Sequence, residues 1–330
     1  MSDIIEIGTL APIVLFVYCR PWHTRQTVEA LRKNELASQS ELFVFSDGPK
    51  DNKVGEKVNE VRNYIRTIDG FKKITIIERD VNWGLANNII DGVTKIVNEY
   101  GKIIVLEDDL VTSPYFLKFL NEGLEIYKND YKVCQIVGYS YFEKYKEIYQ
   151  LDDILFIKGA DCLGWATWDR AWKYFNPNSK DLLMQLEKRN LINEFNWDGA
   201  YDYYSMLKSE AQGKINSWAI RWLASASLND LYTLYPTKSL VLHIGNDEGG
   251  TNYLRSNKKD PLIVPLSKNP VRLKKIEVAQ LENAKKAYID FLSQYKISFV
   301  KKCIVRLLKL LNISPYRVKL AIKRITGLKI

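Results

Sequence analysis

Along the first 140 residues, continuous apolar runs alternate with segments whose apolar side chains recur every three or four positions. The run at 11–19 (APIVLFVYC) has the character of a strand buried on both faces. Similar runs stand at 41–46 (ELFVFS), 73–78 (KITIIE), 102–109 (KIIVLEDD) and 133–138 (VCQIVG). Between them lie a helical segment from Thr24 to about Asn34, then Val54, Val58, Val61 and Ile65, then Leu85, Ile89, Val93 and Ile96. Leu117, Leu120 and Leu124 follow Ser113-Pro114 at the same helical spacing. This alternation predicts an α/β fold, a Rossmann-like, mostly parallel sheet flanked by helices. Such sheets bind ligands at the carboxyl ends of their strands.

After residue 150 the alternation stops. GWATWDRAWKYF (164–175), the stretch around Trp197 and SWAIRW (217–222) gather most of the eight tryptophans. Large aromatics at such density read chiefly as core. Residues 231–245 look extended, and the polar, glycine-rich stretch 245–261 reads as a mobile loop. We therefore expect one domain over 1–262, with a ligand-binding half at 1–140 and a second half at 141–262. A connecting segment at 263–295, with a surface helix at 276–294, leads to a tail at 296–330.

Charge changes the picture only in that tail. Of 48 Lys and Arg against 39 Asp and Glu, ten basic residues and no acidic one fall in 296–330, leaving the body with a net charge of −1. A basic pI of this origin does not indicate a nucleic-acid-binding domain. In the tail, Val300, Ile304, Leu307 and Leu311 keep helical spacing opposite Lys302, Arg306 and Lys309, and Val318, Ile322 and Ile325 repeat the pattern. Two short basic amphipathic helices suit an anionic membrane surface. No run approaches the length of a spanning helix, and the acidic lead-in to 10–19 is unlike a signal peptide. The expectation is a cytoplasmic protein held peripherally at the inner face of the membrane. Four scattered cysteines and two histidines all but exclude a Cys/His zinc site.

The strand ends carry the candidate chemistry. Glu107-Asp108-Asp109 directly after an apolar strand places three carboxylates where they are costly without a counter-charge. Oxygen donors of this kind select hard divalent ions such as Mg2+ or Mn2+, which bridge carboxylates to substrate phosphates. The competing reading is an acidic helix start, with the triplet preceding the helix after Ser113. If strand geometry continues, Glu107 and Asp109 face one side and Asp108 the other. Asp47 is suited to accept a hydrogen bond from a base N–H, and Arg20 to stack on a base or pair with phosphate, although Asp47-Gly48-Pro49 is also ordinary turn chemistry. The segment from Asn82 to Asn88 opens a helix whose amides suit an anion. His243 reads equally as a strand-end residue and as a ligand.

PIVLFVYCRPWHT, LFVFSDGPK, NWGLANNI, IIVLEDDLVTSPYFLKFLN, GWATW and SWAIRW, in this order, resemble bacterial glycosyltransferases of the GT-A fold, family 2-like enzymes of surface-polysaccharide synthesis. They are also similar to the catalytic domain of N-acetylglucosaminyltransferase I. The resemblance spans about residues 10–255. It implies a nucleotide-sugar donor, a UDP-sugar, a glycan or lipid-linked acceptor, and Mn2+ or Mg2+. By position it implies that Asp109 ligates the metal, that Glu107 and Asp108 contact ribose and diphosphate, and that Arg20, Asp47 and Asn82 belong to the nucleotide site. Transfer would be inverting, with a carboxylate deprotonating the acceptor hydroxyl.

Two departures from the family pattern stand out. Where relatives carry an aspartate after the tryptophan matching Trp218, this chain has Ala219 and Ile220, so Asp198, Asp202 and Asp161 become the candidate bases, with Asp198 first. Where relatives place a histidine late in the glycine-rich loop this chain has Asn252, so His243 is the candidate third ligand. The competing functions are a catalytically degenerate, membrane-associated glycan-binding scaffold and a sugar-nucleotide pyrophosphorylase, the latter lacking its glycine-rich signature after the first strand.

Overall fold

A computed structural model describes residues 6–247 and 262–295; the tail at 296–330 and most of the glycine-rich loop lie outside the described residues. The first half runs β1 (Ile13–Val17), α1 (Pro21–Arg32), β2 (Glu41–Ser46), α2 (Asn52–Ile65), β3 (Lys73–Glu78), α3 (Leu85–Tyr100), β4 (Lys102–Glu107), β5 (Leu110–Thr112), α4 (Phe116–Ile126) and β6 (Val133–Val137). The second half runs α5 (Lys146–Tyr149), β7 (Ile154–Lys158), β8 (Trp165–Trp168), α6 (Asp169–Trp172), α7 (Ser179–Lys188), α8 (Ile192–Phe195), α9 (Tyr203–Ala211), α10 (Trp218–Leu228), β9 (Tyr232–Pro236), β10 (Val241–His243) and α11 (Glu282–Ser293).

Eight strands form one sheet in the order β3-β2-β1-β4-β8-β6-β9-β7. The pairs β3-β2, β2-β1, β1-β4 and β6-β9 are parallel, while β8 and β7 run against their neighbours. The apolar runs of β1, β4 and β6 are buried along most or all of their length, as strands covered on both faces must be. Strand β3, at the edge, is only half-buried.

The winding reverses beside β1. The chain steps outward from β1 to β2 to β3, then returns through α3 to place β4 on the other side of β1. A crevice at the carboxyl ends of β1 and β4 follows from that reversal, because the loops leaving the two strands diverge to opposite faces. Arg20 leaves β1 and the acidic triplet leaves β4 at this point.

Three expectations change. The fourth strand stops at Glu107; Asp108 and Asp109 form a turn, and β5 follows before any helix, so the triplet does not open α4. The region after residue 150 supplies three further strands to the large sheet, two of them antiparallel to their neighbours, and β10, which pairs with β5. The helix expected at 276–294 starts at Glu282, and it is not a surface helix alone: Tyr288, Phe291 and Leu292 are buried, with Phe291 packed 4.2 Å from the ring of Tyr141. Six tryptophans (165, 168, 172, 197, 218 and 222) are core, whereas Trp22 and Trp83 are exposed.

Candidate active site

The short antiparallel pairing of β5 with β10 sets Val241 opposite Thr112 and His243 opposite Leu110. That ladder carries His243 to the turn after β4, where its Nε2 lies 3.6 Å from Asp109 Oδ2. The Ile244 amide donates to the Asp109 carbonyl at 2.9 Å. Gly245 comes so close that a methyl group on its Cα would sit 1.9 Å from Asp109 Oδ2 and 2.7 Å from His243 Nε2. A side chain at 245 and the Asp109 carboxylate cannot share this space.

Arg20, held where β1 gives way to the proline-initiated α1, reaches the same carboxylate. Its Nη1 donates to Asp109 Oδ2 at 2.8 Å, and its Nη2 reaches Asp247 Oδ1 (2.8 Å), the Gly245 carbonyl (3.1 Å) and His23 Nε2 (2.8 Å). His23 Nε2 also lies 2.9 Å from Asp247 Oδ2. Burial, then the charge of Arg20, lowers the pKa of His23. The sequence pattern did not single out His23 or Asp247. A histidine three residues after Arg20, at the first turn of a helix leaving the crevice, was the signal available for the first; Asp247 carried none.

The three acidic side chains divide their roles. Burial pushes Glu107 up to about 8, reinforced by the charges of Asp109 and Asp108, while the Trp218 indole N–H donates to it. Burial likewise lifts Asp108 to about 7; its Oδ2 accepts the Tyr18 amide at 3.3 Å and its carbonyl accepts Thr27 Oγ1 at 2.9 Å. For Asp109 burial also pushes upward, but the hydrogen bond and charge of His243, with Arg20 and His23, outweigh it and the pKa falls. The triplet is thus one ionised carboxylate in front of two that resist ionisation.

Asp47 and Asn82 are engaged with each other and with the loops around them. Asp47 is buried, and its carboxylate accepts from the amides of Gly48 (2.9 Å), Trp83 (2.8 Å) and Gly84 (2.9 Å) and from Asn82 Nδ2 (3.1 Å). Asn82 Nδ2 also donates to the Gly48 carbonyl at 2.8 Å. A carboxylate has about four acceptor sites, and these four donors tie the loop after β2 to the loop after β3. Arg20 is likewise engaged with carboxylates, not poised as a stacking plane.

The three proposed bases fall in different places. Asp198 accepts from Asn193 and pairs with Lys285 at 2.9 Å, in a cavity also lined by Lys158 and Glu194. Lys158 faces Tyr232, the first residue of β9, so this cavity lies toward the amino end of that strand and the structure does not bring Asp198 to the crevice. Asp202 is exposed and caps α9 through the Ser205 amide. Asp161 has its carboxylate filled by two tyrosine hydroxyls and two backbone amides. None of the three has the open carboxylate beside Asp109 that a base would need.

A divalent cation fits the donor set by its chemistry. Asp109 and His243 offer a hard oxygen and an imidazole nitrogen, His243 Nδ1 is buried without a partner, and Glu107 and Asp108 are carboxyls that a nearby positive charge would let ionise. Among the described residues no group of three or more His, Cys, Asp and Glu side chains forms a metal set. Two protein donors suit an ion completed by substrate oxygens.

A family model described as glycosyl transferase family 2 matches residues 13–184. No curated protein matches the chain. Among solved structures, the chain is similar to the mannosyltransferase PcManGT from Pyrobaculum calidifontis in complex with GDP-Man and Mn2+, at 11% identity over 68% of this chain and 77% of that one, TM-score 0.37. It is similar to S. aureus TarS at 13% identity over 38% of this chain, TM-score 0.27, spanning only 21% of the TarS chain. Mouse xyloside xylosyltransferase 1 in its apo form matches at 11% identity over 68% of this chain and 80% of that one, TM-score 0.29.

Proposed function

The chain belongs to glycosyl transferase family 2, and from that premise we propose that it moves a sugar from a UDP-sugar to a glycan or lipid-linked acceptor in surface-polysaccharide synthesis, with inversion and with Mn2+ or Mg2+. The observation that carries this reading is the meeting of Asp109, His243 and Arg20 in the crevice between β1 and β4, beside two carboxyls that resist ionisation. Asp109 and His243 are the residues that would hold the cation. When bound, that ion offsets the negative charge growing on the departing diphosphate.

The chain's own groups do the rest. Arg20 brings a permanent positive charge to the same carboxylate and is the residue placed to exchange Asp247 for a phosphate oxygen. Trp218 and Tyr18 hold Glu107 and Asp108 at the crevice floor, where either side chain ionises once positive charge arrives. The Asp47 clamp supports the Asn82–Gly84 loop, whose exposed Trp83 carries the Arg79 guanidinium 3.9 Å above its ring. The ten basic residues of 296–330, without an acid, support attachment to an anionic membrane surface on the cytoplasmic side.

A thermal-shift screen of nucleotide sugars with and without Mn2+ tests the reading. One UDP-sugar should raise Tm only when the ion is present, and Asp109→Ala should abolish both the shift and sugar transfer while leaving the protein folded. An Asp109→Ala enzyme with full turnover, insensitive to EDTA, would contradict it.

A further inference from the structure

The backbone between β7 and β8 crosses the sheet from one end to the other. It leaves β7 at Lys158, opposite Tyr232 at the start of β9, and enters β8 at Trp165, opposite Val137 and Val105 near the carboxyl ends of β6 and β4. Residues 159–164 make this climb without regular secondary structure, and the glycines at both ends, Gly159 and Gly164, have left-handed φ of 96° and 68°. An irregular crossing needs its backbone groups satisfied individually.

Asp161 does this. Its Oδ1 accepts the amides of Cys162 (2.6 Å) and Leu163 (3.2 Å), and its Oδ2 accepts the hydroxyls of Tyr141 (2.5 Å) and Tyr235 (2.9 Å). The Asp161 carbonyl takes Gln135 Nε2 at 3.1 Å, while Gln135 Oε1 takes the Trp222 indole at 2.7 Å. Both tyrosines are buried, and the ring of Tyr141 is packed by Phe291 of α11. The anchor points therefore belong to β6, the segment after it, β9 and α10. Because β8 runs antiparallel to β4 with Trp165 opposite Val105, and the Gly138 amide donates to the Gly164 carbonyl at 2.7 Å, Cys162 and Leu163 stand just beyond the carboxyl end of β4, the end that carries Glu107 and the acidic turn. Burial first, then the charges of Asp161, Glu107 and Asp109, raise the Cys162 thiol.

We propose that Asp161, Tyr141 and Tyr235 form a positioning device that presses Cys162 and Leu163 against the acidic cluster and so builds the acceptor-side wall of the transfer site. The proposal rests on the glycosyltransferase reading for its purpose, but not for its geometry. Asp161 is a positioning residue: its carboxylate is consumed in shaping the wall, and the wall sets where an acceptor hydroxyl stands relative to the donor.

The test is the double variant Tyr141→Phe/Tyr235→Phe, which keeps the carboxylate charge and both packed rings. Steady-state kinetics should show kcat per nucleotide-binding site falling by about tenfold, with KM for the sugar nucleotide within about twofold, because a misplacement of a fraction of an ångström affects orientation and not donor affinity. A merely structural cluster would lower Tm and leave kcat per site unchanged, and that result overturns the proposal. A second measurement needs no turnover: iodoacetamide labelling read at Cys162 by mass spectrometry should run several-fold faster in the variant. Equal labelling rates overturn the positioning claim, whereas wild-type protein that transfers no sugar but shows the labelling contrast overturns only the functional reading. If the double variant does not fold, Tyr235→Phe alone carries both measurements.

Discussion

Replacing Gly245 by alanine adds one methyl group at the tightest point of the site. That carbon would lie 1.9 Å from Asp109 Oδ2, 2.7 Å from Asp109 Cγ and 2.7 Å from His243 Nε2. Relief to ordinary contact requires a separation of roughly 1.5 Å more. The backbone resists, since the Ile244 amide is bonded to the Asp109 carbonyl and His243 is in register with Leu110. Either the Asp109 carboxylate swings out of its bond with Arg20, or the backbone at 245 pulls away and the Arg20 bond to the Gly245 carbonyl is lost. Overpacking of this kind costs about 1–3 kcal/mol, a drop of a few degrees in Tm, because the sheet and its helices are untouched. Displacement of a catalytic group by about 1 Å is worth about a hundredfold in rate. Sugar-nucleotide turnover should therefore fall by about that factor, and Mn2+ affinity measured by calorimetry by about tenfold or more. Gly55→Ala on α2, where the added methyl meets nothing within 4 Å, is the matched control and should be neutral or slightly stabilising. Wild-type turnover and cation binding in Gly245→Ala would refute the placement of Asp109 and His243 at the reaction centre.

Glu107 and Asp108 are raised from 4.5 and 3.8 to about 8 and about 7, so the folded protein holds protons that the unfolded chain releases. Their contribution to stability is present in full below pH 4 and is lost as pH rises toward 8, the sign following from greater proton binding by the folded state. Mn2+ binding at pH 7 should then release protons, seen as a heat that varies with buffer ionisation enthalpy; a buffer-independent heat would argue against it. Asp47→Ala removes the acceptor for three amides and one side-chain amide and should cost about 3 kcal/mol in urea unfolding; a loss below about 1 kcal/mol would mean that the clamp is not what holds the loop. Asp198→Ala should leave transfer within about twofold and stability within about 1 kcal/mol, as expected for a partly exposed ion pair. Loss of transfer in a folded Asp198→Ala protein would restore it as the base.

Much of this site was legible as a place and little of it as a set of contacts. The apolar run ending in Glu107-Asp108-Asp109 announced both a buried strand and an expensive charge at its end, and the strand–helix alternation put that end on the ligand-binding edge. The same reasoning left Asp47 open between turn and ligand contact: a carboxylate at a strand end looks the same in sequence whether its oxygens face solvent or, as here, its own turn and the loop after β3. It also ranked Asp198 first among the bases, because Trp197-Asp198 reads locally as a positioned carboxylate while its partner Lys285 lies far along the chain.

From its residues alone the chain determined an α/β sheet, the positions of its first four strands along the chain, the carboxyl edge as the place for chemistry and a basic tail distinct from a neutral body, since each follows from local periodicity or from counting charge. Tertiary structure decided which groups meet there. Arg20 finds Asp109 across 89 positions and Asp247 across 227, and His243 arrives only because a three-residue ladder pairs β10 with β5. Such meetings depend on loop closure over long separations and on the close approach that a glycine at 245 allows, and no short-range pattern encodes either.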